Sequence, residues 1–426
     1  MAKGTIWELP EFKPHKKAWT AKRKELFKRR GYYDGTVYSG NDDKLGWLKY
    51  RVGKEIKPLF LPLARAVDID AGIIPGNWLL GDEDTPESKV NSWEKAKKLI
   101  FKWSKWATKG VLYVHYGAQY GVSALKVSDL QEEKRIEISA VDPTNLLLVY
   151  EGEYTDVPSM SIWVEKRGDG EDEVEFAEVI TATEIKTYID GLEQEVVDDR
   201  DAVYPNLQGR VPYFEVLHME NGEVWGEATF QKAMGLLDEV NQLATDLADI
   251  IKDHGEPQWA VSGAEPSDLE HDGDKVWFLP EGSKVEILLP PIDIPGVLEF
   301  IREIKDGVEE ALPELSFDEL RSKDKIATAT LELQLIELIL KVKRTRPNYD
   351  QGLIDALRFA GQMAAGMSLP EIVVLDDEDL VMDVDREILP MDPQTRMSLE
   401  MQEIILERER AMGMDEGGNE EEEDEE

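Results

Sequence analysis

The side chains able to do chemistry are present in this sequence but do not gather. Its five histidines, His15, His115, His218, His254 and His271, stand far apart. None lies at the i, i+4 spacing that puts two imidazoles on one helix face for zinc. Cysteine is absent, which removes thiolate metal sites, thiol nucleophiles and disulfides together. There is no G-x-x-x-x-G-K-[ST] phosphate loop and no Gly-x-Ser-x-Gly elbow, and Gly117 and Gly121 bracket Ala-Gln-Tyr without making a dinucleotide fingerprint. Three carboxylate clusters remain: Asp68-Ile-Asp70, Asp82-Glu-Asp84 and Asp376-Asp-Glu-Asp379. Such groups hold Mg2+ in some nucleases. With 89 acidic residues they also arise by chance, and a solvated surface is the expectation for each. Neither catalysis nor a cofactor nor a metal is implied.

Charge is the stronger signal. The formal net charge is −40 over 426 residues, so most of the surface repels free DNA. Against that background cations stand out. Arg321, Lys323 and Lys325 lie in a loop, 317–328, flanked by Ala327, Thr328 and Ala329. This loop is suited to presenting cations to a polyanion. Lys341, Lys343, Arg344 and Arg346 are expected to pair with neighbouring glutamates. Residues 1–30 carry ten Lys/Arg against Glu8, Glu11 and Glu25. A surface helix with snorkelling lysines accounts for them, and an arm for nucleic acid or an acidic neighbour is the alternative. Glu420 to Glu426, with Asp415 and Glu416, reads as a solvated acidic end. No apolar run reaches the ~18 residues of a membrane helix, and Met1-Ala2-Lys3-Gly4 has no apolar leader core, so a cytoplasmic origin is expected.

The elements that must position these groups are legible from periodicity. From about Glu227 to Asp253, Phe230, Ala233, Leu237, Val240, Ala244, Leu247 and Ile251 alternate at three and four residues, a 3.5-residue seam. His254-Gly255 and Pro257 stop that helix. A second helix starts at Asp293 and Pro295, with its seam at Val297, Ile301, Ile304, Val308 and Ala311. Between them, 258–262, 275–279 and 284–288 read as a small β unit. A third helix runs from about Thr328 to Met363, kinked at Pro347. Residues 91–109 form a helix with an Asn91/Glu94 capping box and a stop at Gly110. Segments 111–116, 136–141, 146–150, 160–164 and 184–189 read as strands. One more helix is expected from Pro393 to Met412. Narrow seams with charged flanks suit helices packed side by side in an array. The fold class is α+β with an antiparallel sheet.

This order resembles the portal proteins of tailed bacteriophages, over most of the chain. The likeness is carried by Val211-Pro-Tyr-Phe-Glu-Val216 followed by Gly226-Glu-Ala-Thr-Phe230, by Lys323-Asp-Lys-Ile-Ala-Thr-Ala329, and by Ile388-Leu-Pro-Met-Asp392. Portals of phages infecting Thermus look most similar, in keeping with abundant Glu and Lys. The resemblance implies a portal-like subunit. Its parts are a mixed wing (1–226 and a kinked helix 329–365), stem helices (227–256 and 292–316), a β clip (257–291), a tunnel loop (317–328) and a crown (366–426). It implies a homo-oligomeric ring, typically of about twelve copies, at one capsid vertex of the virion, through which double-stranded DNA is packaged and ejected. Terminase, the capsid or scaffolding protein and head–tail connector proteins are the implied partners. On the resemblance, Arg321, Lys323, Lys325 and Ile326 face the DNA. Trp259, Lys275, Trp277, Phe278 and Lys284 of the clip contact partners or neighbouring subunits. Asp238, Asp246, Asp249, Glu303 and Asp306 line an acidic channel wall. Another ring-forming head–tail connector is the alternative, and a metal-dependent nuclease a more distant one.

Overall fold

Seven helices and thirteen strands are built from residues 4–38, 60–152, 157–168, 170, 173–194, 196–197, 200–201, 203–255, 258–262, 284–288, 294–316, 335–383, 386 and 388, which are those the computed structural model describes. The helices are α1 (Lys16–Asp34), α2 (Leu63–Ile73), α3 (Glu87–Ser104), α4 (Trp106–Tyr120), α5 (Met234–Gly255), α6 (Ile294–Ala311) and α7 (Ile336–Gly366). The strands are β1 (Val122–Leu130), β2 (Arg135–Val141), β3 (Leu146–Val149), β4 (Met160–Arg167), β5 (Val174–Thr181), β6 (Glu184–Ile189), β7 (Leu192–Glu193), β8 (Val196–Val197), β9 (Arg200–Asp201), β10 (Val203–Pro205), β11 (Tyr213–Leu217), β12 (Gln258–Ser262) and β13 (Lys284–Leu288). They fall into two units: Met1–Lys22, Val67–Ala228 and Ser316–Glu426 form one, Arg23–Ala66 and Thr229–Leu315 the other.

The first unit is α+β. β11, β1 and β2 make one antiparallel sheet, and β10, β6, β5, β4 and β3 another, with β7 at the side of β6. α3, α4 and α7 cover the smaller sheet around a core that includes Trp93, Ile100, Tyr113, Ile138, Leu338, Tyr349 and Phe359. The second sheet packs on the N-terminal segment through Ile6, Trp7, Phe12 and Trp19 against Ile162, Val179 and Tyr188. Pro347 lies inside α7 and is exposed, as is Lys343, whose carbonyl loses its helical donor there. Solvent can satisfy that carbonyl, so the helix continues.

Several local expectations are overturned here. Residues 111–116 are helical, within α4, not a strand. Adjacent Val111 and Leu112 are exposed while adjacent Tyr113 and Val114 are buried, which is paired, helical burial and not alternation. Gly110 is no stop. A Cβ there would lie 2.6 Å from the Trp78 ring, so glycine permits that approach. The break falls at Lys105, in the left-handed region with φ 54°. The Asn91/Glu94 capping box does not form, because α3 already starts at Glu87. Glu94 instead accepts from the Leu80 amide (2.8 Å) and pairs with Lys97 (2.6 Å). Ile372, Leu375, Leu380 and Met382 are buried together with α7 in one core. The helix expected at 393–412, the capping residue Asp293 and the strand expected at 275–279 lie outside the described residues.

The second unit centres on α5 and α6. They are antiparallel: Gly307, near the end of α6, faces Leu236, near the start of α5. β12 and β13 pair antiparallel from Gln258↔Leu288 to Ser262↔Lys284, so the chain between the helices doubles back on itself.

Candidate functional site: the paired helices

The seams read from periodicity are the packing faces. On α5 and the turn before it, Phe230, Ala233, Leu237, Val240 and Leu247 are buried. On α6, Val308 is buried and Val297, Ile301 and Ile304 are half-buried. Towards the β12–β13 end this burial fades, and Ile251 is 53% exposed. Phe300 (50%) and Leu298 (40%), off the α6 seam, are also exposed.

Residues 23–66 complete this unit in a way periodicity did not show. The Asn241 side chain, fully buried, accepts from the Phe60 amide (2.9 Å) and donates to the Phe60 carbonyl (3.1 Å), so one amide group satisfies a whole backbone position. Lys305 sits 4.9 Å over the Phe60 ring. Tyr32 and Tyr38 both donate to Asp238, at 2.8 and 2.9 Å. Burial and the Asp238 charge push the Tyr38 hydroxyl pKa well up, so it stays a donor.

This corrects one wall residue. Asp238 is only 5% exposed and held by two hydroxyls, so it is a structural acceptor in the subunit and not a solvent-facing wall group. Glu303 and Asp306 are exposed on α6, and Asp246 and Asp249 half-buried on α5. α6 carries five acidic and two basic residues, so its exposed surface is net acidic. Lys284 is exposed at the start of β13. Trp259 belongs to β12, and its side chain lies outside the described residues, as do Lys275, Trp277, Phe278, Arg321, Lys323, Lys325 and Ile326.

In the first unit the structure brings together titratable groups that the sequence kept apart. Asp70 and His218 are fully buried, with Nε2 3.6 Å from Oδ2, and Lys341 lies 3.4 Å from the same oxygen. His218 Nδ1 is 2.8 Å from the Tyr349 hydroxyl. Burial pushes the His218 pKa down, against the opposing pull of Asp70. A second buried set joins Asp350 to Arg386 and to the Trp78 ring N–H (3.0 Å). Arg346 donates there to the carbonyls of Ile74 and Arg386. Burial lowers its guanidinium pKa to about 10. Asp70 is therefore not on the solvated surface expected of its cluster, whereas Asp68 is 66% exposed. Of the basic group on α7, Lys341 lies against Asp70, Arg344 donates to the Glu220 carbonyl and Arg346 to loop carbonyls. No spacing rule links residues 70, 218 and 349. The one sequence signal was an unexplained histidine beside a strand. Asp70, His218 and Tyr349 are all fully buried. Among the described residues no three metal-ligating side chains converge, and no helix is long and apolar enough to cross a membrane.

The described residues form an α+β body and a seamed helix pair, with Asp70, His218, Asp350 and Arg386 buried in internal contacts. The family model of phage portal proteins of the SPP1 Gp6-like type matches residues 13–373. The chain belongs to that family, and its role is that of a portal protein, not an enzyme. No curated protein matches it. Among solved structures, the neck of an empty gene transfer agent (GTA) particle is similar at 12% identity and TM-score 0.43, over 76% of this chain and 81% of that one. The neck of the native GTA particle computed with C12 symmetry gives 11% and 0.42 over 76% and 81%. The virion of the native particle gives 10% and 0.38 over 82% and 86%.

Proposed function

We propose that this portal protein works as a closed ring of about twelve copies at one vertex of a virion, as a conduit for double-stranded DNA. The observation that carries the ring is the exposed apolar set Leu298, Phe300 and Ile251 on the seamed helices, which one chain leaves uncovered. In this reading α5 and α6 are the stem, 257–291 the clip, 317–328 the tunnel loop, and 366–426 the crown. The acidic surface of α6, with Glu303 and Asp306, and Asp246 and Asp249 of α5, forms a wall that DNA passes without sticking. Arg321, Lys323, Lys325 and Ile326 make weak, salt-screened contacts with it, each worth about 1 kcal/mol or less. Trp259, Lys275, Trp277, Phe278 and Lys284 serve the clip, where terminase docks and head–tail connector proteins follow. Capsid or scaffolding protein surrounds the ring, which assembles in the host cytoplasm. Glu- and Lys-rich usage supports a thermophilic phage, of Thermus type. Negative-stain electron microscopy of the purified protein tests the ring: rings with a central channel are expected, and a monodisperse monomer at micromolar concentration refutes it. For the tunnel loop, Lys323→Ala with Lys325→Ala leaves rings intact and alters DNA packaging or retention. Wild-type packaging and retention in that variant defeat the assignment.

A further inference from the structure

From Lys95 to Ser128 the chain carries seven lysines and no aspartate or glutamate. At the chain's overall acidic frequency a stretch of that length holds about seven. Three of the lysines have internal work. Lys97 is buried against Glu94 and the Trp78 carbonyl, Lys109 reaches Ser139 (2.9 Å), and Lys126 pairs with Glu178 (2.6 Å). The other four, Lys95, Lys98, Lys102 and Lys105, are exposed. Lys95, Lys98 and Lys102 recur at i, i+3 and i+7 on the face of α3 opposite Trp93, Ala96, Ile100 and Ser104, which are buried, and Lys105 follows at the end of the helix. The stripe covers about 15 Å. Its ammonium groups meet no partner among the described residues. Like charges at this spacing repel one another along the helix. Glu94, the one carboxylate next to them on the helix, is taken by Lys97.

The countercharge available in the same chain is the segment 415–426, with nine carboxylates and no cation. Residues 377 and 379 lie at the first turn of α3. Ile388, the last described residue, packs on the core that Trp93, Ala96 and Ile100 of α3 also line. Lys89, in the first turn of α3, already pairs with Asp377 (2.6 Å) and Asp379 (3.2 Å). Glu420 lies thirty-two positions beyond Ile388, and extended chain spans up to ~3.4 Å per residue, several times the ~27 Å length of α3. DNA is disfavoured as occupant, because four lysines must compete with the repulsion of the whole surface. A tethered acidic segment has no such barrier and a high effective concentration. We propose that the lysine stripe of α3 is the docking face for the acidic segment 415–426 of the same chain.

Zero-length carbodiimide cross-linking of the full chain tests this, read by mass spectrometry at low and high salt. Cross-links from Lys95, Lys98, Lys102 and Lys105 to residues 415–426, lost at high salt, are expected. Even distribution over other exposed lysines, such as Lys13, Lys16 and Lys17, overturns the proposal. A mixture of isotopically light and heavy protein tests the source: unmixed cross-links are expected, and predominantly mixed ones, from a neighbouring copy, overturn the proposal. As a second readout, deleting 415–426 frees the stripe, so the salt needed to elute from heparin rises. Lys95→Glu, Lys98→Glu and Lys102→Glu together abolish that rise while leaving the far-ultraviolet spectrum unchanged. If the undeleted protein is already retained on DNA-cellulose through these lysines, nucleic acid is the occupant and the proposal fails.

Discussion

Arg386 lies beyond the 13–373 stretch matched by the portal family, yet it is 6% exposed and holds the buried carboxylate of Asp350. Arg386→Met keeps most of the stem volume and removes the charge. Asp350 is then left buried with the Trp78 N–H as its remaining strong donor. Removing one partner of a buried pair costs about 3–5 kcal/mol. At about 2 °C per kcal/mol for a unit of this size, the melting midpoint falls by about 6–10 °C. The cost has a distinctive pH dependence. Burial already raises the Asp350 pKa, and Arg386 is the largest group opposing that rise. Without it the carboxyl pKa climbs further. The penalty is absent below the unfolded-chain carboxyl value of about 4, grows as pH rises above it, and is felt in full above the raised folded value. Calorimetry at a series of pH values from about 5 to about 8 follows that growth. The loss is expected to be larger at the higher pH, and Asp350→Asn added to Arg386→Met recovers much of it. A variant melting within about 1 °C of the parent, or a loss independent of pH and of Asp350, refutes the reasoning.

Three further outcomes are expected. Gly117→Ala drives a Cβ into the buried Tyr349 hydroxyl and costs about 1–3 kcal/mol in denaturant titrations, part of which Tyr349→Phe restores because the clash is with the hydroxyl. The buried, neutral His218 refuses a proton that the unfolded chain accepts below about pH 6.5, so stability rises with pH through the window beneath that value; His218→Gln, followed by thermal melts across it, has a shallower slope. Phe300→Asp changes an exposed side chain, so subunit melting moves by no more than about 0.5 kcal/mol while light scattering shows fewer rings.

What the sequence by itself determined was whatever repeats locally. The α5 and α6 seams, the β12–β13 segments and strands such as β2, β4 and β6 follow from side-chain period and turn residues within a dozen positions. The acidic balance came from composition, and the family likeness from the order of these elements. Tertiary structure decided everything that depends on a distant neighbour. Tyr113 and Val114 read as strand residues until the faces they bury on were in place. Gly110 looked like punctuation and is a contact with Trp78, thirty-two residues earlier. Asp238 was one acid among many until Tyr32 and Tyr38, some two hundred residues away, closed on it. Asp70 belonged to a surface cluster by spacing and to the core by contact with His218 and Lys341. A carboxylate's local sequence is the same in water and in a core; its partners' positions decide which one it occupies, and those are set by packing across the whole chain.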